Sequence, residues 1–442
     1  MKTRARVALH ASICVFALAA GSLAFSTTVA EFRSFDPSGH NPGWTHWSPR
    51  TEISPLFSID PAAGRTGKGA LKLETRHVGE IGAWQRQIEV QPGNIYRFTA
   101  WYRGEALPNE QRSVIARLSW LGKEGRPLSR QVRPPEYAAV VRRESGWSQV
   151  ELVSQAPDQA ESLDVRLTLA FAPGGSLWWD DIALRKMVPP PDRPVRVMTV
   201  HFRPKPTGSA EESVETFCTL VEKAADQKPD IVCLPEGISI VGTRARFADV
   251  AEPIPGPSTQ RLSRLARSLR SYVVAGIYER VEPLIYNTAV LLDREGNLVG
   301  RYRKTHLPNE EWEKGLTPGE SYPIFETDFG KVGLMICWDA RFPEPCRSMA
   351  QQGARLILLP TWGGDEVLAC ARALENNVFF VSAGYDMKSL ILNPEGKVLA
   401  EAKSDSPVVT TEIHPDRKIY QFWVGDMSTR TWMESRGNLP RN

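Results

Sequence analysis

Cysteine is scarce in this chain: six in 442 residues, one of which, Cys14, falls within the first 30. The remaining five, Cys218, Cys233, Cys337, Cys346 and Cys370, are odd in number and irregular in spacing, which argues against a disulfide framework. Zinc-ligand spacing, a P-loop and a dinucleotide-binding glycine pattern are all missing, so no metal and no organic cofactor is expected. An excess of positive charge is also lacking. The formal net charge is +3, and Lys2, Arg4 and Arg6 account for all of it, so nothing argues for nucleic acid as a partner. Only the N-terminus carries a long apolar run, and Ser12, Gly21 and Ser22 interrupt it, leaving it short for a membrane span. With three cations ahead of it and Thr27-Thr28-Val29-Ala30 behind, residues 1–30 read as a secretory signal peptide cut after Ala30. Export to the periplasm or the exterior is therefore expected, with an uncleaved membrane anchor as the alternative. Cys14 follows Ile13 rather than a small residue, which discounts a lipoprotein site.

Proline, by contrast, is concentrated where it is informative. Residues 187–194 read MVPPPDRP, a stretch that continues neither helix nor sheet and so forms a linker. It separates residues 31–186 from residues 195–442. The first part shows strand alternation: Val165, Leu167, Leu169 and Phe171 alternate with Arg166, Thr168 and Ala170. Similar runs at 95–102 and 147–152, punctuated by Gly, Pro and Asn turns, indicate an all-β antiparallel sandwich. Its closing segment, GGSLWWDDIALRK, resembles the last strand of jelly-roll carbohydrate-binding modules of the galactose-binding-like class. Trp44, Trp47, Trp84, Trp101, Trp120, Trp178 and Trp179 would suit either sugar stacking or a sandwich core. A glycan ligand and a structural or docking role both stay open.

Beyond the linker, strands alternate with helices, the pattern of an α/β fold. Strands are expected at 195–200, 231–234, 272–277, 287–292, 332–336, 356–359 and 378–382, with helices near 259–271 and 343–352. Ser209 and Glu212 form a capping-box signature ahead of Val214, Phe217, Val221 and Ala225 at helical spacing. Three strand ends carry chemistry. In VGLMICWDARFPEPCR an apolar run stops abruptly at Cys337, where a nucleophile would stand in an open α/β sheet. A thiol there needs a base, a cation and an oxyanion donor. Glu236 in IVCLPEG supplies a carboxylate that can accept the thiol proton and pass it to a leaving amine. Lys304 in GRYRKTHLP supplies charge that favours a thiolate and a tetrahedral oxyanion. The backbone N–H of Trp338 is the natural further oxyanion donor. Taken singly, each has a bland reading: Cys337 as packing, Glu236 as a turn carboxylate, Lys304 as one more cation beside Arg301 and Arg303. Cys218, Cys233, Cys346 and Cys370 keep the packing reading. His414 is the only histidine after Cys337, which counts against a Cys–His pair.

The motifs LPEG, YRKTHLP and ICWDARFPE, in that order, resemble the Glu, Lys and Cys motifs of the nitrilase superfamily, the carbon–nitrogen hydrolases. PGESYPIFETDFGKVG, GARLILLPTW and ARALENNVFFVSAGYD extend the resemblance from about residue 195 to about 414. It implies a four-layer α-β-β-α sandwich, pairing through helices into a dimer or larger assembly, and a Cys337 nucleophile with Glu236 as base and Lys304 as transition-state stabiliser. It further implies a second carboxylate between the lysine motif and Pro318-Gly319, where Glu310, Glu311 and Glu313 lie; Glu311 is the choice by distance from both. Asp339, Arg341 and Glu344 are expected to hold the turn through ion pairs, and His306 to act structurally. Arg341, Trp362 and Asp365 are candidates to line the substrate pocket. The implied reaction is hydrolysis of a small amide or carbamoyl compound. Nitrile hydrolysis, acyl transfer to an amine, and a non-catalytic glycan-binding scaffold are the rivals. The tail from Lys418, with Trp423, Met427 and Trp432, is apolar enough to be expected at an interface with a neighbour.

Overall fold

The computed structural model describes residues 27–38, 43–188, 192–418, 420–421 and 424–434. Most of the expected signal peptide, the three central prolines of the linker, Trp423 and the side chain of Trp432 lie outside the described residues. Residues 27–30 are an exception. They belong to the strand Thr27–Phe32, which pairs antiparallel with Ser176–Met187. Cleavage after Ala30 would divide that strand.

The alternation seen before the linker produces two antiparallel sheets, of seven and five strands. Period-two patterning sends every second side chain to one face, and Leu163, Val165, Leu167 and Leu169 of Ser162–Ala170 are all buried between the sheets. Opposite them lie Phe98, Tyr102 and Trp179 from Ile95–Glu105 and Ser176–Met187. This settles where most tryptophans go. Trp44, Trp84, Trp101, Trp120, Trp178 and Trp179 are buried. Trp47 keeps partial exposure, and the Arg166 guanidinium lies 4.4 Å from its ring centroid. On the outer side of the larger sheet, Trp101, Trp147 and Trp178 form their own cluster, roofed by Arg65 and Arg103.

Residues past the linker build two six-stranded sheets. In the first, Val195–Val200, Ile231–Cys233 and Tyr272–Val281 run parallel at the centre; in the second, Gly330–Leu334, Leu356–Pro360 and Phe379–Ala383 do so. Parallel strands need both faces covered, so they read as continuous apolar runs. Val197, Ile231 and Val274 of one sheet share a core with Val332, Leu334 and Val381 of the other. The outer face of the first sheet, with Met198, Val232 and Val273, takes the helices Ala210–Glu222 and Pro257–Leu269 through Val214, Phe217, Leu262 and Leu265. The second sheet is covered by Glu344–Gln351 and Glu366–Asn376. Gly333 lets one of these approach: a Cβ there would meet Met349 Sδ at 2.5 Å. The result is the expected α-β-β-α sandwich. Thr199 Oγ1 donates to the Ser382 carbonyl (2.6 Å) and Ser389 Oγ to the Val200 carbonyl (2.9 Å), pinning sheet to sheet. The Ser209 hydroxyl accepts from Glu212 N–H as a cap, but Glu212 reaches back to Gly208 N–H, one residue beyond the usual box.

The described part of the tail meets this chain's own sandwich. Buried Glu136 accepts from Lys418 Nζ (3.2 Å), Tyr420 OH (2.7 Å), Trp120 Nε1 (3.1 Å) and Ser154 Oγ (2.5 Å). Burial pushes the Glu136 carboxyl up, but Lys418, Ser154 and Tyr420 outweigh it and the net shift is downward.

Candidate active site

Three chain segments converge at the carboxyl ends of the central strands. Glu236 follows Ile231–Cys233 in a turn stitched to its neighbour: Gly276 N–H donates to the Pro235 carbonyl (3.1 Å) and Ile238 N–H to the Gly276 carbonyl (3.0 Å). Only glycine fits at 276, because a Cβ would lie 2.6 Å from Glu236 Cα. Tyr385 OH closes the turn from the other sheet by donating to the Glu236 carbonyl (2.7 Å). Lys304 comes directly after Leu298–Arg303 and is 1% exposed. Its ammonium donates to Glu236 Oε1 (3.0 Å) and Glu311 Oε1 (2.6 Å). Asn287 Nδ2 donates to the same Glu236 oxygen (2.7 Å), and the Asn287 carbonyl accepts from Lys304 N–H (2.9 Å). Among the described residues, Glu236 Oε2 and Glu311 Oε2 have no hydrogen-bond partner. One oxygen of Glu236 is thus fixed by a cation and an amide, and the other is free to accept. Glu311, from Asn309–Trp312, is the carboxylate that meets Lys304; Glu310 and Glu313 are exposed.

Burial by itself would lower the Lys304 pKa, but Glu236, Cys337 and Glu311 raise it above the ordinary lysine value. Glu311 is raised by burial and by Glu236, with Lys304 opposing.

The strand expected to reach Ile336 ends at Leu334, and Asp339 explains why. Its Oδ2 accepts the Ile336 N–H (2.9 Å), taking a donor from the sheet ladder, and Cys337 then adopts φ +44° at the start of the turn Cys337–Arg341. A left-handed backbone is costly for a non-glycine residue and persists only where neighbours enforce it. The enforcement is visible. Asp339 also accepts from Tyr302 OH (2.8 Å), Thr305 Oγ1 (3.1 Å) and His306 N–H (3.0 Å), so one buried carboxylate ties the cysteine turn to the lysine loop. His306 sits beside it, stacked on Phe342 at 4.2 Å, in the structural role expected. Replacing Asp339 with alanine strands several buried donors and is expected to cost roughly 3 kcal/mol or more in urea unfolding, with activity falling in parallel; asparagine should cost less.

Cys337 is half-buried. Burial, then Glu236, push its thiol up to about 11, while Lys304, the Thr361 hydroxyl and the Trp362 N–H pull it down without prevailing. Lys304 thus acts in the expected direction, toward the thiolate, but it is outweighed, because its ammonium is shared with two carboxylates and burial disfavours the charged sulfur.

Other expected residues are placed differently. Trp338 follows Cys337 and is 38% exposed, with the Arg341 guanidinium 5.5 Å from its ring centroid. Of the three residues expected to hold the turn through ion pairs, Asp339 holds it and pairs with His306 Nδ1 (3.1 Å), whereas among the described residues Arg341 and Glu344 have no ion-pair partner. Arg372 supports the turn in their place, donating to the carbonyls of Ala340 and Arg341 (3.2 Å each). Trp362 packs edge-on against Tyr385 at 5.0 Å, near Cys337 through its N–H. Asp365 caps Glu366–Asn376 by accepting from Val367 N–H (2.9 Å), which gives its carboxylate a structural use. Sequence reasoning missed Asn287, Tyr385 and Arg372. For Asn287 a signal existed: an amide side chain in the largely apolar strand Leu284–Leu292.

Residues 196–418 match the family described as carbon-nitrogen hydrolase. Omega-amidase NIT2 of Xenopus tropicalis is 34% identical over 244 residues, spanning 49% of this chain and 88% of that protein. Omega-amidase NIT2 of Homo sapiens is 35% identical over 228 residues, spanning 46% of this chain and 83% of that protein. Among solved structures, Nit3 of Saccharomyces cerevisiae, a nitrilase-superfamily member, matches at 26% identity with a TM-score of 0.46, covering 51% of this chain and 91% of that one. The chain belongs to the carbon–nitrogen hydrolase family.

Proposed function

We propose that this protein is an amidase that cleaves small amides through a thioester on Cys337. The observation that carries the proposal is the fixed Glu236–Lys304–Glu311 cluster beside a thiol on a left-handed turn, with one Glu236 oxygen unpartnered. In this reading Cys337 Sγ attacks the carbonyl carbon as its proton passes to Glu236. Lys304 and the Trp338 N–H face the oxyanion. As the C–N bond breaks, Glu236 returns the proton to the leaving nitrogen, releasing ammonia or an amine and leaving a thioester. Water, giving a proton to Glu236, then hydrolyses the thioester to the acid and restores the thiol. Glu311 holds Lys304 in place. The omega-amidase relatives favour an amide over a carbamoyl compound or a nitrile.

The test is intact-protein mass spectrometry of the wild type with pooled small amides, carbamoyl compounds and nitriles, following ammonia release. An acyl adduct on Cys337 with ammonia from amides is expected. Ammonia from nitriles alone would replace the proposal with nitrile hydrolysis. Exchanged amides on adding amines would replace it with acyl transfer, and no adduct with any pool would favour a binding scaffold. Export through residues 1–30 stays part of the proposal. An N-terminus at Glu31 in the mature protein supports it, and one at Met1 overturns cleavage.

A further inference from the structure

The outer face of the smaller sandwich sheet carries an arrangement that the hydrolase chemistry does not use. Arg166 of Ser162–Ala170 and Arg117 of Val114–Leu121 are direct cross-strand partners, so two guanidinium side chains share one face at adjacent positions. Like charges directly opposite each other on a sheet destabilise it. Arg166 finds partial relief, donating to Asp164 Oδ2 (3.1 Å) and leaning over Trp47. Arg117 has no ion-pair partner among the described residues. Burial, reinforced by Arg117 and opposed by Asp164, lowers the Arg166 pKa from its ordinary value.

These residues open into a cavity of about 150 Å³. Arg130 and Arg133 line it from the loop before Glu136, Arg133 also lying over the Tyr420 ring at 4.2 Å, and the acid among the lining residues is Asp164, whose oxygens already accept from Gln85 and Arg166. Ser119, 7% exposed and opposite Asp164 in register, lines the same cavity, and its Oγ has no partner among the described residues. Leu121 and Leu128 add apolar wall. A buried hydroxyl without a partner and an uncompensated guanidinium both cost stability in the empty protein. Each is resolved by a ligand that brings an anion and a hydroxyl. A carboxylate fits a guanidinium fork bidentately, and the volume suits a molecule of one ring.

We propose that this cavity binds a carboxylate-bearing, hydroxylated ligand about the size of one sugar ring, free or within an acidic glycan, with its carboxylate on Arg117 and Arg166 and a hydroxyl on Ser119. The test is calorimetric titration of the full-length protein with glucuronate, with glucose as a neutral ligand of equal size, and with inorganic phosphate. Saturable, salt-sensitive binding of glucuronate is expected, at least tenfold tighter than either control. Arg117→Gln and Ser119→Ala should each weaken it, the first by tenfold or more. Without ligand, Arg117→Gln should melt no lower than wild type, since it removes repulsion; a purely structural arginine would give a lower melting point. Arg130→Gln, at an exposed position, is a second variant that should weaken binding without risk to the fold. A glucuronate oligomer that binds more tightly than the monomer assigns the site to a glycan; equal binding assigns it to the free acid. No heat from glucuronate, equal affinity for glucose or phosphate, or undiminished binding by Arg117→Gln overturns the proposal.

Discussion

Cys337→Ala is expected to lower amide turnover by at least about 10⁴-fold, because no other group in the site can form the acyl-enzyme. The substitution keeps Cβ and therefore the strain at φ +44°, so the melting temperature should change little. Steady-state ammonia release checks the first expectation and thermal unfolding the second. A residual rate within tenfold of wild type would remove Cys337 from the chemistry. The state of the thiol gives a further reading. Since it sits at about 11, the nucleophilic thiolate is a small fraction at neutral pH, and alkylation without substrate should rise about tenfold per pH unit between pH 7 and 9. Peptide mapping separates this from Cys218, Cys233 and Cys346, which are fully buried. Equal alkylation rates at pH 6 and pH 9 would mean a resting thiolate and would remove the need for Glu236 as base.

Lys304→Met should be the more damaging substitution for the fold. The wild-type ammonium lies between two carboxylates, with its side chain fully buried. Removing one member of a buried charge cluster typically costs about 3–5 kcal/mol, because the remaining charges stay desolvated and uncompensated. Activity should also vanish, since the oxyanion loses its cation. The pH dependence separates this from a generic cavity effect. In the wild type, the folded Lys304 pKa is raised above its unfolded value. Its contribution is therefore complete below an unfolded pKa of about 10.4 and is lost only as pH rises beyond that. In the variant, Glu236 and Glu311 repel each other and burial already raises Glu311. At least one carboxyl then has a folded pKa above its unfolded value, so stability is gained on acidification and lost as pH rises through the folded value. The melting temperature of Lys304→Met should rise from pH 8 to pH 5 far more than that of wild type. Lys304→Met/Glu311→Gln should recover stability without activity. A pH-independent loss would show that the cluster is not held by charge.

The sequence alone determined the order of the three chemical groups and the strand ends that carry them. Continuous apolar runs broken by Glu236 and Cys337 mark buried parallel strands that stop where polar chemistry begins, a local signal needing no partner, while Lys304 is marked by its motif at the end of the antiparallel edge strand Leu298–Arg303. It also determined the change from period-two alternation to alternating strand and helix across residues 187–194. Tertiary structure alone decided the rest, because it depends on which faces meet. Nothing local distinguishes Glu311 from Glu310 and Glu313; the turn of Asn309–Trp312 presents one of them to Lys304. Nothing local says that Asp339 takes the Ile336 N–H and joins loops more than 30 residues apart, or that Arg372 rather than Arg341 braces the turn. The balance of forces on Cys337 was out of reach for the same reason. The sequence shows a nearby cation, but only packing reveals that two carboxylates neutralise it while burial penalises the thiolate. Charge balance in a buried site is a sum over neighbours from distant segments, and that sum exists only once the chain has folded.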